Sequence, residues 1–141
     1  MSHEARNAAI LREAYRLWNE TKGGSVEHWL SIIADDINFG SLAQGRVSAV
    51  AFTRQRHTRE GVAGYLTELT RDWEMLNYEV DHFVAQGDRV VAIARTSWRF
   101  KATAKMIDTP KVDSWRFNAD GKAVEFFEFY DTAEMFEATR P

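Results

Sequence analysis

The sequence contains no cysteine among its 141 residues and only two prolines, Pro110 and Pro141. The absence of cysteine excludes disulfides, thiolate metal sites and a cysteine nucleophile, and it fits a reducing cytoplasm. No stretch approaches the roughly 20 apolar residues that a membrane-spanning helix needs, and no apolar run of signal-peptide length follows the N-terminus. We therefore expect a cytoplasmic protein with no membrane partner.

The sequence also has little excess of either charge, since 18 basic and 21 acidic residues give a formal net charge of -3. The two signs are interspersed, so no broad positive face for a nucleic-acid backbone is expected. His3, His28, His57 and His82 show none of the paired spacings of a metal site, and only His82 falls on a predicted strand where it can face a pocket. The sequence predicts neither a nucleic-acid partner nor a metal or other cofactor.

Aromatic residues are abundant, with five Trp, nine Phe and four Tyr. This number exceeds what a small core requires, and such rings also line ligand pockets and subunit contacts. The chain has no internal repeat, low-complexity tract or proline-rich linker, and its length suits one core. We expect a single domain over residues 1–141.

Apolar residues recur at helical spacing in three stretches of the first half of the chain. The first predicted helix ends at Gly23-Gly24. The second is capped by Ser25 and ends near Asp35-Asp36, and the third is capped by Thr58. Near the end of the chain, Asp131 and Glu134 fit a capping box that begins a short terminal helix.

From residue 75 onward the apolar period changes to two, the period of a strand. Short polar connections such as Gln86-Gly87-Asp88 favour an antiparallel meander. Strands this long favour a twisted, coiled sheet over a flat one. The predicted strands are 37–42 with a hairpin partner at 46–52, followed by 75–85, 89–101, 105–117 and 122–130.

The order of these elements, with helices first and strands afterwards, is typical of an α+β fold whose helices gather on one face of the sheet. A curved sheet closed by helices leaves a cavity on its concave side. The predicted fold is therefore a cone-shaped, curved antiparallel sheet capped by three N-terminal helices.

Several segments resemble the nuclear transport factor 2-like superfamily, and within it the SnoaL-like and ketosteroid-isomerase-like proteins, over nearly the entire chain. These segments are Ala34-Asp35-Asp36, Gln86–Val91, Val112–Phe117, Asp120-Gly121-Lys122 and Glu125–Asp131. The resemblance implies a cystatin-like cone, a pocket in the cone for a small apolar or aromatic ligand, and a homodimer built on the sheet. It does not choose among isomerases, cyclases, hydrolases and non-catalytic binding proteins.

Asp113 is the first candidate catalytic residue. By the resemblance it aligns with the carboxylic acid that donates a hydrogen bond to an enolate oxygen in ketosteroid isomerases. Alternation puts it on the same strand face as Trp115 and Phe117, where burial among rings favours the neutral donor form. The alternative is an aspartate that pairs with Lys111 or with a neighbouring strand.

Glu128 is the second candidate, and it shares a strand face with Phe126 and Tyr130. In epoxide-hydrolase-like members the matching position holds an aspartate that activates water, and Arg95 matches the arginine of that site. The second aspartate, two residues after the arginine, is Ser97 here. The water-activating triad is therefore incomplete.

The ketosteroid isomerase pattern is broken as well. Its proton-shuttling aspartate aligns with Ser41, and its catalytic tyrosine aligns with Ala14. The neighbouring Tyr15 is rotated by roughly 100 degrees on the helix, which places it in the core unless a local shift returns it to the pocket.

The two faces of the strand over residues 89–101 compete for the pocket. Arg95, Ser97 and Arg99 lie on one face, and Ala94, Thr96, Trp98 and Phe100 lie on the other. If Trp98 lines the cone, Arg95 lies on the outer, dimer-facing surface and its pairing with Glu128 disappears. The sequence leaves both arrangements open.

The basic run Thr53–Arg59 beside a predicted helix N-terminus suits an acidic ligand or, more simply, a solvated loop. Taken together, the residues predict a small-molecule protein of isomerase, cyclase or hydrolase type with Asp113 and Glu128 as catalytic residues, one donating and the other accepting a proton or orienting water. The predicted substrate-binding residues are Trp115, Phe126, Tyr130, Arg95, Tyr15 and Trp98. The losses at Ser41 and Ser97 favour the alternative of a non-catalytic binding or dimeric interaction module.

Overall fold

The computed structural model describes residues 2–141, and the predicted α+β class is confirmed. The helices are α1 His3–Glu20, α2 Val26–Ser31, α3 Arg59–Asp72 and α4 Thr132–Thr139, with a 3-10 helix at Ser48–Thr53. The strands are β1 Ile33–Ser41, β2 Arg56–Thr58, β3 Trp73–Gln86, β4 Arg89–Phe100, β5 Met106–Phe117 and β6 Ala123–Phe129.

The strands form one curved, unclosed sheet in the order β2-β1-β6-β5-β4-β3. Strands β3 to β6 make the predicted antiparallel meander. Register shifts interrupt the β3–β4 ladder between Met75 and Asn77 and again between Val80 and His82. Such irregularities bend a strand and increase its twist, which gives the sheet a concave face.

The pairing of β1 lies outside what the sequence predicted. It runs parallel to β6, and its antiparallel partner is the short β2. The prediction of a strand at 46–52 is wrong, because this stretch forms a 3-10 turn in which Val50 and Phe52 are both buried. The second helix ends at Ser31 rather than near Asp35-Asp36, because pairing with β6 begins at Ile33.

Local hydrogen bonds mark the end of α1 and the start of α3 near the positions that the sequence predicts. The chain leaves α1 through Gly23, whose φ of +90 suits glycine and whose amide donates to the Trp18 carbonyl oxygen. The Thr58 hydroxyl accepts from the Gly61 amide at the start of α3. These two helices pack on the sheet, with α1 lying mainly against β3.

Only half of the predicted capping box forms at α4. The Asp131 carboxylate accepts from the Glu134 amide at 3.0 Å. The Glu134 carboxylate turns instead to the Asp108 amide of β5, 2.8 Å away, and so ties the terminal helix to the sheet. Among the helices within residues 2–141, none combines the length and the apolar character that crossing a membrane requires.

Candidate functional site

The concave face of the sheet and the helices form a cavity in which the centre of a water-sized molecule can move over about 90 Å³. More than half of the residues that line it are aromatic, and all five tryptophans of the chain are among them. Trp29 of α2 stacks on Trp115 of β5 with the ring centroids 5.5 Å apart. Phe126 packs against the same Trp115 at 4.5 Å, and Tyr15 meets Trp29 edge-on at 5.1 Å. The wall is therefore a set of interlocked rings with large apolar faces.

A buried ionic cluster interrupts this aromatic wall. The Lys111 ammonium Nζ lies 2.6 Å from Asp113 Oδ1 and 3.0 Å from Glu128 Oε1. Strand geometry explains the arrangement, because Lys111 and Asp113 are two residues apart on one face of β5 and Glu128 stands directly opposite Asp113 on β6. We call Lys111, Asp113 and Glu128 the ionic cluster.

Three tyrosine hydroxyls surround the ionic cluster, each from a different element. Tyr15 of α1 and Tyr78 of β3 both donate to Asp113 Oδ2 at 2.5 Å. Tyr65 of α3 donates to Glu128 Oε2 at 2.6 Å. The three hydrogen-bond partners of Asp113, which are Tyr15, Tyr78 and Lys111, all donate to its carboxylate. The structure shows the pairing with Lys111 that the sequence left as an alternative, and the catalytic role of Asp113 stays a prediction.

Burial sets the protonation of the groups around the carboxylates. It raises the pKa of Tyr15 and Tyr78 well above 10.0, and the Asp113 charge raises both further. Burial likewise raises the pKa of Tyr65, with the Glu128 charge adding to it. For Lys111, burial alone lowers the pKa, but the charges of Asp113 and Glu128 outweigh burial and the net pKa is raised. At neutral pH the hydroxyls are protonated donors and Lys111 is a cation.

The two carboxylates differ in how much hydrogen-bonding capacity they retain. An ionised carboxylate offers about four acceptor positions. Asp113 accepts two tyrosine bonds on Oδ2 and one lysine contact on Oδ1, whereas Glu128 has one partner on each oxygen. Glu128 is therefore the carboxylate with more room for a ligand group.

Ser41, which the resemblance aligned with an aspartate of ketosteroid isomerases, is buried beside Tyr130. The two hydroxyl oxygens are 2.6 Å apart, and the Ala43 amide donates to the Tyr130 hydroxyl at 3.3 Å. Burial raises the pKa of Tyr130, and the nearby Glu128 charge adds to the shift. In this structure Ser41 holds Tyr130 in the cavity wall.

Arg95 does not reach the cavity, so its predicted substrate-binding position is wrong. Its guanidinium lies on the outer face of the sheet, 3.0 Å from Asp81 and 2.8 Å from Glu79. The inward face of β4 is the one that carries Thr96 and Trp98, because burying Trp98 removes far more apolar surface from water than burying Ser97. The proposed pairing of Arg95 with Glu128 does not exist.

His82 is also exposed on the sheet and does not face the cavity. In the basic run the guanidiniums are paired with acids. Arg56 contacts Glu68 at 2.7 Å and Arg59 contacts Asp35. Within residues 2–141 no group of three His, Asp or Glu side chains is arranged to hold a metal ion.

The other predicted ligand-contacting residues all line the cavity: Trp115, Phe126, Tyr130, Tyr15 and Trp98. Tyr15, expected in the core, also bonds Asp113 and receives a bond from Trp115 Nε1 at 2.9 Å. Sequence reasoning missed Tyr65 and Tyr78. Tyr65 lies on the apolar face of α3, so its inward position could have been found from helical spacing. Tyr78 could not, because the register shift after Met75 changes which residues of β3 point inward.

A protein family described as a SnoaL-like domain matches residues 11–126 of this chain. None of the curated proteins is similar to the chain at a significant level. Solved structures share the fold at low sequence identity.

A nuclear transport factor 2-like protein of unknown function from Burkholderia pseudomallei is 22% identical, with a TM-score of 0.84 and complete coverage of both chains. A second such protein, from Burkholderia thailandensis, is 20% identical with a TM-score of 0.80, over 96% of this chain and 98% of the other. A candidate SnoaL-like polyketide cyclase from Jannaschia is 18% identical with a TM-score of 0.77, over 100% and 97%.

Proposed function

The chain belongs to the SnoaL-like family, and we propose that its cavity binds a small, largely apolar ring molecule on which Glu128 moves a proton. One feature of the cavity supports this function. The charged side chains that line the cavity, Lys111, Asp113 and Glu128, all lie together at one place in a largely aromatic wall. A ring held between the aromatic faces therefore meets Glu128 and Lys111 in a fixed orientation, which is what proton transfer requires.

The proposed reaction is an isomerase-type proton shift. Glu128 takes a proton from a carbon beside a carbonyl group, and the electron pair of the broken C–H bond moves toward the carbonyl oxygen. The same proton returns to a different carbon, so no co-reactant is consumed. Tyr65 and Lys111 orient the carboxylate through contacts of 2.6 and 3.0 Å.

The alternative function is ligand binding without turnover. Each oxygen of Glu128 and Asp113 already has a partner within the protein. In addition, serine stands at position 41, where related isomerases have an acid. A cavity of this kind holds a ring molecule firmly even if no proton moves.

Hydrogen–deuterium exchange tests the proposed reaction. The protein is incubated in heavy water with a panel of mono-, bi- and tetracyclic ketones, and exchange beside the carbonyl is followed by NMR. We expect Glu128→Gln to slow exchange by about 10²- to 10⁴-fold, the usual contribution of a general base, while tryptophan fluorescence shows nearly unchanged ketone binding.

Glu125→Gln is the matched control, because Glu125 lies on the same strand and pairs on the outside with Arg89 and Arg116. It should leave exchange unchanged. Ketones that bind the wild-type protein without accelerated exchange would support the non-catalytic alternative.

We also propose that the outer face of the sheet joins two copies of the chain. Two cross-strand rows run over it, Phe129–Val112–Ile93–His82 and Phe127–Ser114–Val91–Val84. Phe129, Ile93 and Val84 are 45%, 39% and 54% exposed, which is high for large apolar side chains. Charged residues of both signs, such as Arg95 and Asp81, surround these rows. In a two-fold dimer the basic residues of one copy can lie opposite the acidic residues of the other. We call these two rows the outer apolar band.

A further inference from the structure

The charges inside the cavity do not balance. Asp113 and Glu128 contribute two negative charges and Lys111 one positive charge. The groups that face them from α1, α3, β3 and β4 are the hydroxyls of Tyr15, Tyr65, Tyr78 and Thr96, all neutral at physiological pH. Among the described residues that line the cavity, the ionic cluster is thus one positive charge short.

This imbalance lies deep in the protein. Asp113 is 1% exposed and Glu128 is 4% exposed, so water screens them poorly. Arg95 of the neighbouring strand β4 points outward, toward Glu79 and Asp81. Although each carboxylate has partners, the net negative charge of the ionic cluster is held away from water, and an additional cation in the cavity would be stabilised by it.

The aromatic wall is suited to the same kind of group. Lys111 Nζ already lies 5.1 Å from the centroid of the Tyr78 ring and 5.8 Å from that of Phe126, so the cavity places one ammonium over aromatic faces. Trp29 and Trp98 present further indole rings to the same space. Indole is the best aromatic partner for a cation.

We propose that the natural ligand of the cavity carries one positive charge, as an amine or substituted ammonium group attached to an apolar body. Its cation lies beside the free acceptor positions of Glu128, and its alkyl or ring groups pack against the tryptophans. This inference rests on the proposed function, since it specifies the ligand class of the same cavity.

A pair of probes of equal shape and different charge tests the ligand class. Benzyltrimethylammonium is compared with 2,2-dimethylpropylbenzene, in which carbon replaces the charged nitrogen, and binding is measured by tryptophan fluorescence at neutral pH. We expect the cation to bind the wild-type protein more tightly. Glu128→Gln makes the ionic cluster neutral. It should lower the affinity for the cation by about tenfold and change the affinity for the neutral probe by less than about twofold.

Glu125→Gln again serves as the control and should leave both affinities unchanged. If the neutral probe binds the wild-type protein as tightly as the cation or more tightly, the ligand is uncharged and this inference is wrong, while the cavity still functions as a binding site. If neither probe binds although ketones of the panel do, this inference is wrong and the proposed function stands; if the ketones do not bind either, both fail. The wild-type comparison decides between these outcomes even if Glu128→Gln does not fold, and Asp113→Asn then provides the neutral ionic cluster.

Discussion

The tyrosine side chains define the chemistry of the cavity at the scale of single residues. All four tyrosines of the chain line it: Tyr15, Tyr65, Tyr78 and Tyr130. Burial and a neighbouring carboxylate raise the pKa of each one. None of these hydroxyls is therefore expected to lose its proton near the ordinary tyrosine value while the protein stays folded.

This leads to a prediction about alkaline pH. A tyrosine whose pKa is raised on folding stabilises the folded state fully below its ordinary value of 10.0, and the contribution is lost as pH rises above it, because the unfolded chain releases its proton first. Lys111 acts in the same direction, since its pKa is also raised, from an ordinary value of 10.5. Stability should therefore decline above about pH 10.

Tyrosinate absorbance and circular dichroism, recorded over one alkaline titration, check this prediction. We expect the absorbance to stay low until the dichroism signal is lost, so that both change in a single transition. A rise in tyrosinate absorbance at the ordinary pKa with native dichroism would contradict the buried positions of these side chains.

At the scale of elements, α4 provides a local test of the fold. Asp131 caps this helix through the Glu134 amide. Replacing Asp131 by alanine should lower the free energy of unfolding by about 1 kcal/mol, because the amide loses its acceptor. Urea denaturation measures the loss, and ketone binding should not change, since Asp131 is not among the residues that line the cavity.

Glu137→Ala is the control for this helix. Glu137 is exposed on α4 and forms surface ion pairs with Lys105 and Arg140. Such pairs contribute little, so the free energy of unfolding should remain within about 0.5 kcal/mol of the wild-type value. A large effect on ligand binding from Asp131→Ala would instead assign that residue to the site.

The strands also show how far sequence alone reaches. Alternation alone predicted that Asp113 and Trp115 share one face of β5 and that Glu128 lies with Phe126 on β6, because these strands are regular over those residues. It left β4 open, since each face of that strand mixes polar and apolar side chains. Tyr78 was missed because a register shift, which no local pattern marks, reverses the parity of β3.

The pairing between strands that are distant in the sequence could not be predicted from the sequence. Strand β1 lies parallel to β6, with Ser41 beside Glu128, although more than half of the chain separates them. No turn residue or apolar period specifies such a contact. The family resemblance predicted the cone and its pocket. The hydrogen bonds from Tyr15 to Asp113 and from Tyr65 to Glu128 became visible only in the structure.

At the scale of the whole molecule, the outer apolar band predicts a homodimer. We expect light scattering after size exclusion to give twice the chain mass of 16.2 kDa. Placing aspartate at both Phe129 and Val84 should yield a monomer, because it puts charges into the apolar centre of the contact. Met106→Asp is the control, since Met106 is 57% exposed but lies at the far end of β5. A wild-type monomer would exclude this interface.

The curvature of the sheet creates the cavity, and the alternation of side chains along the strands decides which residues line it. The ionic cluster supplies its charged groups. A crystal structure of the protein soaked with the tightest-binding ring ketone tests the central claim most directly. We predict that the ring lies between the tryptophan faces, with the carbon beside its carbonyl about 3 to 3.5 Å from the Glu128 carboxylate. A ketone bound outside the cavity, or bound inside with that carbon far from Glu128, would contradict the claim.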